Sequence, residues 1–182
     1  SAMLAVGDVD PIIERICAEA RRIVPGVNLG AVISREAKER IESYITEAER
    51  QGARVLVDGR GATVEGKENG TYVGPTVIDY VTPEMSVAKE EIFGPVISIM
   101  RTGNLDEAIK IENANPYGNA ASVFTNSGGL ARYVMEHASA GMIGVNIGVP
   151  VPREPLSFGG WNESRFGAND ITGKSSIEFW TK

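Results

Sequence analysis

This chain has little of what most often does chemistry unaided: among 182 residues it holds one cysteine, Cys17, and one histidine, His137. A single thiol excludes an intrachain disulfide and a thiolate zinc site, and one imidazole leaves little for a transition metal, so no metal is expected. Positive charge is also short, with 18 Lys and Arg against 24 Asp and Glu and a net charge of −6. Without a basic face the chain is not expected to bind nucleic acid. No apolar run approaches the ~20 residues that cross a bilayer, and the first residues lack the basic and hydrophobic regions of a signal peptide. No membrane partner is expected, and the cytoplasm, or a mitochondrial or other organelle matrix, fits best. Ser1-Ala2-Met3 reads as a non-native leader.

What remains is ordinary globular material, 42% apolar and 23% charged, long enough for one core that buries roughly 70% of the unfolded surface. Asp10-Pro11 reads as an N-cap followed by proline at the first helical position, and Ile12, Ile13, Ile16, Cys17, Ala20, Ile23 and Val24 follow at helical spacing until Pro25-Gly26. Cys17 shares its face with isoleucines, so it is expected in the core, whereas a reactive thiolate needs an exposed, electropositive setting. A second helix is expected from Ser34 to Arg50, with Ala37, Ile41, Tyr44, Ile45 and Ala48 on one face and Gly52 as its stop. Ala53 to Val57 reads as a strand. Gly59 to Gly70 reads as a solvated, mobile loop or hairpin tip, and Thr71 to Val73 and Thr76 to Val81 as short β-like runs.

From Val96 the pattern alternates. Strands at 96–100, 121–125 and 142–146 are separated by helices near 105–114 and 129–138, which predicts βαβ units on a parallel sheet. Ligands on such sheets gather beyond the carboxyl ends of the strands, here Thr125-Asn126 and Asn146. His137 has no sequence-near acid or nucleophile and is expected at the surface. Ile147 to Gly167 is long and rich in proline and aromatics, either a binding element or a packed crossover. Ser176 to Thr181 alternates and reads as a terminal strand that pairs with another sheet edge, in an oligomer that of another subunit.

The most informative stretch is Lys89-Glu90-Glu91-Ile92-Phe93-Gly94-Pro95-Val96. Pro95 restricts Gly94, and the charged loop enters a buried strand directly. A carboxylate accepts hydrogen bonds from vicinal hydroxyls, and a nearby ring gives a flat heterocycle an apolar surface, so a nucleotide ribose and its base suit the pair. On residue type alone, the same side chains also read as solvated charges and a core ring.

KEEIFGPV closely resembles the signature of the aldehyde dehydrogenase superfamily. Asn113 to Ala121 is similar to the family's NxxxYGLxA segment, with Asn119 in place of the leucine. Gly144-Val145-Asn146 is similar to its glycine-x-valine-asparagine strand end, and Phe158-Gly159-Gly160 to its PFGG loop. The resemblance covers nearly the whole chain and implies an NAD-dependent enzyme. It places Glu91 on the nicotinamide ribose hydroxyls, Phe93 beside the nicotinamide, and Phe158 on the wall of the substrate channel. Ser157, Asn162 and Arg165 depart from the general pattern. Glu68-Asn69-Gly70 before Val73-Gly74-Pro75-Thr76, and Val149-Pro150-Val151-Pro152, resemble instead the methylmalonate-semialdehyde dehydrogenase branch. That branch oxidises malonate or methylmalonate semialdehyde, with coenzyme A as co-substrate.

The resemblance also implies what to expect around the chain. The family's nucleophilic cysteine lies well upstream of the signature, at or before residue 1 here, and the NAD-binding domain precedes it. Residues 4–170 are therefore expected to be the part of the catalytic domain that follows the nucleophile, an α/β fold with a parallel-rich sheet and flanking helices. Residues 171–182 are expected to form an oligomerisation strand, and the NAD-binding domain to be absent. The complete enzyme is expected to be a homo-oligomer acting on a small-molecule aldehyde, and this chain alone to be inactive, with no catalytic residue of its own. Two alternatives stay open: a stand-alone α/β binding or interaction module, and a semialdehyde dehydrogenase that releases the free acid.

Overall fold

The computed structural model describes residues 2–152, 155–167 and 170–181. The chain divides into two compact units, one ending at Ala108 and one starting at Ile109, so the boundary falls within a helix. No helix among the described residues is long and apolar enough to cross a membrane.

The first unit is built on a four-stranded sheet of order β1-β4-β3-β2. Its strands are β1 (Ala2–Val6), β2 (Arg54–Val57), β3 (Thr76–Asp79) and β4 (Val96–Thr102), with helices α1 (Asp10–Arg21), α2 (Arg35–Arg50) and the single turn α3 (Ser86–Lys89). β1 and β3 flank β4 in parallel, Ala2 opposite Ser98 and Thr76 opposite Val96, while β2 runs antiparallel to β3. Buried on both faces, β3 reads Thr-Val-Ile-Asp with every residue inside, as central parallel strands do.

Sequence periodicity explains α2 well. Ser34 accepts a hydrogen bond from the Ala37 amide at 3.1 Å, Ile41, Ile45 and Ala48 are wholly buried, and Gly52 takes φ +101 just past the end. α1 differs from expectation at both ends. Val9 occupies the cap position, because the Asp10 carboxylate instead pairs with Arg101 Nη1 at 2.7 Å. The helix stops at Arg21, leaving Ile23 and Val24 outside it and largely exposed. Cys17 is buried in the core, as its place on the apolar stripe requires. Burial raises its pKa further from thiolate chemistry.

Asp79, 1% exposed, is a buried carboxylate answered by Arg101, whose Nη2 lies 2.8 Å from Oδ2. The next residue, Tyr80, ends β3 with φ 57, its ring between the Arg54 and Arg101 guanidiniums at 4.5 and 4.6 Å. Thr71 to Val73 forms no strand. Its hydrogen bonds go to the backbone of Val32 instead, the Val32 amide donating to the Thr71 carbonyl at 2.8 Å. The loop after Gly59 is tethered near its start, since Arg60 reaches Asp58, Glu49 and Thr46, and the Gly61 amide donates to Glu42 Oε1.

The boundary helix is α4 (Leu105–Asn113). The second unit continues with β5 (Tyr117–Gly118), β6 (Ala120–Val123), α5 (Gly128–His137), β7 (Met142–Val145), β8 (Trp161–Asn162) and α6 (Ser176–Trp180). β6 and β7 are parallel neighbours joined through α5, one βαβ unit. β4 does not belong to that pair: it lies in the other sheet, so the expected continuous series of three strands divides between two sheets. β5 and β8 form a short antiparallel pair.

The last element corrects the expectation of a terminal strand. Ser176 to Trp180 is helical, the Phe179 amide bonding to the Ser175 carbonyl and the Thr181 amide to that of Ile177. Alternating Ile177 and Phe179 fit a strand only if another edge offers hydrogen bonds. Without one, a local turn satisfies the backbone. Ala2 and Met3 belong to β1 in register with Ser98 and Ile99, while Ser1 lies outside the described residues.

Candidate functional site

The signature leaves α3 at Lys89 and enters β4 at Val96, so its loop stands at the amino end of β4, beside the amino end of β3. This differs from the rule that placed ligands at carboxyl ends. The residues named by that rule, Thr125 and Asn146, bond to each other in the second unit: Asn146 Oδ1 accepts from the Thr125 amide at 2.9 Å and its Nδ2 donates to the Thr125 carbonyl at 3.0 Å. With their polar atoms joined, they hold the ends of β6 and β7 together.

Within the loop, neighbouring residues face opposite ways. Ile92 is 3% exposed, anchoring the loop in the core, while Phe93 is 73% exposed. Glu90 and Glu91 are both exposed, but not equivalent. The Tyr44 hydroxyl of α2 donates to Glu90 Oε2, a contact that, ahead of burial and the Glu90 charge, raises the tyrosine pKa. Glu91 has no hydrogen bond or ion pair among the described residues, so both its oxygens remain open to an outside donor.

The unusual dihedral falls one residue earlier than glycine chemistry suggests. Phe93, not Gly94, takes positive φ, at 52°. Gly94 is required for room instead: a Cβ there would lie 2.8 Å from Cδ1 of fully buried Ile41. Arg40, preceding Ile41 on α2, donates from Nη1 to the Ile92 carbonyl at 3.0 Å. Sequence reading did not single out Arg40, and used Tyr44 only as a marker of the apolar face. A tyrosine and an arginine four apart, bracketing a core isoleucine, were the available signal.

An open groove of about 710 Å³ borders the loop's exit, lined by Pro11, Ile12, Ile16, Ile23, Pro95 and Ile97 among others. Its wall is nearly all apolar, and neither Glu91 nor Phe93 lines it. Among the described residues no group of histidine, cysteine and carboxylates could hold a metal ion.

The other motif residues are mostly structural in contact. Asn113 Oδ1 accepts from the Ser139 amide at 2.7 Å while its Nδ2 donates to the His137 carbonyl at 2.9 Å, fastening α4 to the end of α5. His137 is exposed and stacks on Tyr133 with 4.0 Å between ring centroids. Phe158, 41% exposed, is held through its amide by Thr172 Oγ1 at 2.8 Å. Asn162 donates to Ser139 Oγ at 2.9 Å, and Arg165 pairs with Asp170 at 3.3 Å.

Comparison with known proteins places this geometry. A model described as "Aldehyde dehydrogenase family" matches residues 8–182. Malonate-semialdehyde dehydrogenase 1 of Geobacillus thermodenitrificans is 42% identical, the match covering 100% of this chain and 39% of that protein. The acylating mitochondrial methylmalonate-semialdehyde/malonate-semialdehyde dehydrogenase of Rattus norvegicus is 46% identical over 87% of this chain and 30% of its own length. The crystal structure of methylmalonate-semialdehyde dehydrogenase from Oceanimonas doudoroffii superposes with a TM-score of 0.94 at 39% identity, covering 99% of this chain and 38% of that one. The Mycobacterium tuberculosis aldehyde dehydrogenase complexed with NAD+ gives a TM-score of 0.85 at 30% identity, covering 98% and 37%. This chain thus spans roughly two-fifths or less of each relative's length.

Proposed function

Because this chain belongs to the aldehyde dehydrogenase family, we propose that it supplies the ribose-positioning part of an NAD-dependent dehydrogenase for malonate or methylmalonate semialdehyde. The observation that carries the reading is the unequal treatment of two adjacent carboxylates: Glu90 is taken by Tyr44, while Glu91 is exposed and has no partner among the described residues, beside an outward Phe93. An ionised carboxylate only accepts hydrogen bonds, and two vicinal hydroxyls offer two donors at matching spacing. The exposed ring gives the nicotinamide a face to lie against. Both residues fit that cofactor, which would accept the hydride released from the aldehyde carbon.

In this reading the chain contributes orientation more than bond making. Holding reactants in register can supply ~7–11 kcal/mol of a barrier in favourable cases. Cys17 is not the nucleophile, since it is buried on α1 with its pKa raised. Phe158 forms a wall of the aldehyde channel, and coenzyme A takes the acyl group. The name of the rat relative, an acylating enzyme, supports that last assignment. The complete enzyme acts as a homo-oligomer in the cytoplasm or a mitochondrial matrix.

The test is Glu91→Gln in the complete enzyme. Turnover should fall about tenfold or more, the scale of a charge-assisted hydrogen bond, with the unfolding temperature unchanged. An unchanged rate at saturating NAD removes the assignment. Coenzyme A dependence of product release, followed in the same assay, separates acyl transfer from hydrolysis, and the 182-residue chain alone should turn over no aldehyde.

A further inference from the structure

Glu91 and Phe93 project without any hold of their own, yet the residues between and beside them are held from one side of one helix. Arg40 Nη1 donates to the Ile92 carbonyl at 3.0 Å, Ile41 fills the space a side chain at Gly94 would need, and the Tyr44 hydroxyl donates to Glu90. Tyr44 lies four residues after Arg40 and three after Ile41, the spacings at which helical side chains are neighbours, so these contacts form a single rail along the loop. The rail is stiff. α2 is capped by Ser34 and seated by Ile41, Ile45 and Ala48, all wholly buried.

We propose that Arg40 and Tyr44 are positioning residues for the nicotinamide ribose, acting through Glu91 and Phe93; the inference rests on the ribose-binding role proposed for Glu91. Tyr44 takes Glu90 out of competition, leaving one carboxylate available to the hydroxyls. Arg40 pins the peptide that joins Ile92 to Phe93, and that peptide sets the left-handed φ of 52° at Phe93. Side chains with a Cβ avoid this conformation unless their surroundings impose it. Released, Phe93 returns to negative φ and its ring leaves the position it shares with Glu91.

Arg40 is exposed and Tyr44 half-buried, so replacing either spares the core. In the complete enzyme, Arg40→Met and Tyr44→Phe should each raise KM for NAD roughly five- to tenfold, the scale of one hydrogen bond. KM for the aldehyde and the unfolding temperature should stay unchanged. Arg40→Lys should recover most of the loss, because one ammonium donor suffices for a carbonyl. Tyr44→Phe added to Glu91→Gln should cost little more than Glu91→Gln alone, since Tyr44 acts by leaving that carboxylate available. If Glu91→Gln weakens NAD while Arg40→Met and Tyr44→Phe do not, the positioning role is wrong and the ribose reading stands. If Glu91→Gln leaves both NAD binding and the rate at saturating NAD intact, the ribose reading fails and takes this inference with it. Equal losses for both substrates together with lowered thermal stability would make α2 a structural support only and overturn the proposal.

Discussion

Up to Ala108 the chain fully buries a set of large apolar side chains, Ile41, Ile45, Ile78, Ile99, Val73 and Val77 being 0–1% exposed, although Ile33, Val27 and Phe93 stand out at 96%, 82% and 73%. From Ile109 onward the buried apolar residues among those described are Ala131, Val134, Ala138 and Ala140, while Phe166 is 93%, Val149 72% and Trp180 70% exposed. The first unit carries a core that seats the helix against which the signature loop is held. Among its described residues the second buries no comparable set of large side chains and has many apolar residues turned outward. Rigidity for the proposed ribose site therefore comes from the unit in which the signature lies.

Three substitutions would break or sharpen that contrast. Ile99→Ala, at a fully buried position in β4, should cost about 3–4 kcal/mol in chemical denaturation; a loss below about 1 kcal/mol would deny the first unit its core. Asp79→Asn leaves Arg101 without its buried partner. Because the Arg101 side chain is 28% exposed, solvent offsets part of the loss, and about 1–2 kcal/mol is expected. Phe166→Ser, on the open surface of the second unit, should change stability by less than about 0.5 kcal/mol and should reduce concentration-dependent association in sedimentation. A large loss of stability there would mean that the ring is packed after all.

The same contrast governs what the sequence could reveal. α2 was legible from Ser34 through Gly52 because its cap, apolar stripe and stop are local signals. β1 was not, since a five-residue apolar run becomes a strand only by pairing with Ser98 to Thr102, far along the chain. Ile177 and Phe179 satisfy a strand pattern and a single helical turn equally, and the choice depends on whether a partner edge is present. At the candidate site, Glu91 and Phe93 could be singled out from residue type and family likeness. The contacts that set them apart from their neighbours come from Arg40 and Tyr44, 52 and 46 residues away from the atoms they bind. Local pattern carries no information about such distant pairings. For the same reason the sequence does not show that Ile41 crowds Gly94 or that the positive φ of the loop falls on Phe93.

Gly59 and Gly74 touch backbone to backbone: the Gly74 amide donates to the Gly59 carbonyl at 2.8 Å, and a Cβ on Gly59 would meet the Gly74 oxygen at 1.9 Å. The excursion between them is thus already closed at its neck, and its outer end at Glu65-Gly66 is exposed. Lengthening a loop whose ends are joined adds only a logarithmic entropy cost, about 0.6 kcal/mol per doubling. That tip is accordingly the place to graft an epitope or fluorophore tag into this unit, while both neck glycines must be kept.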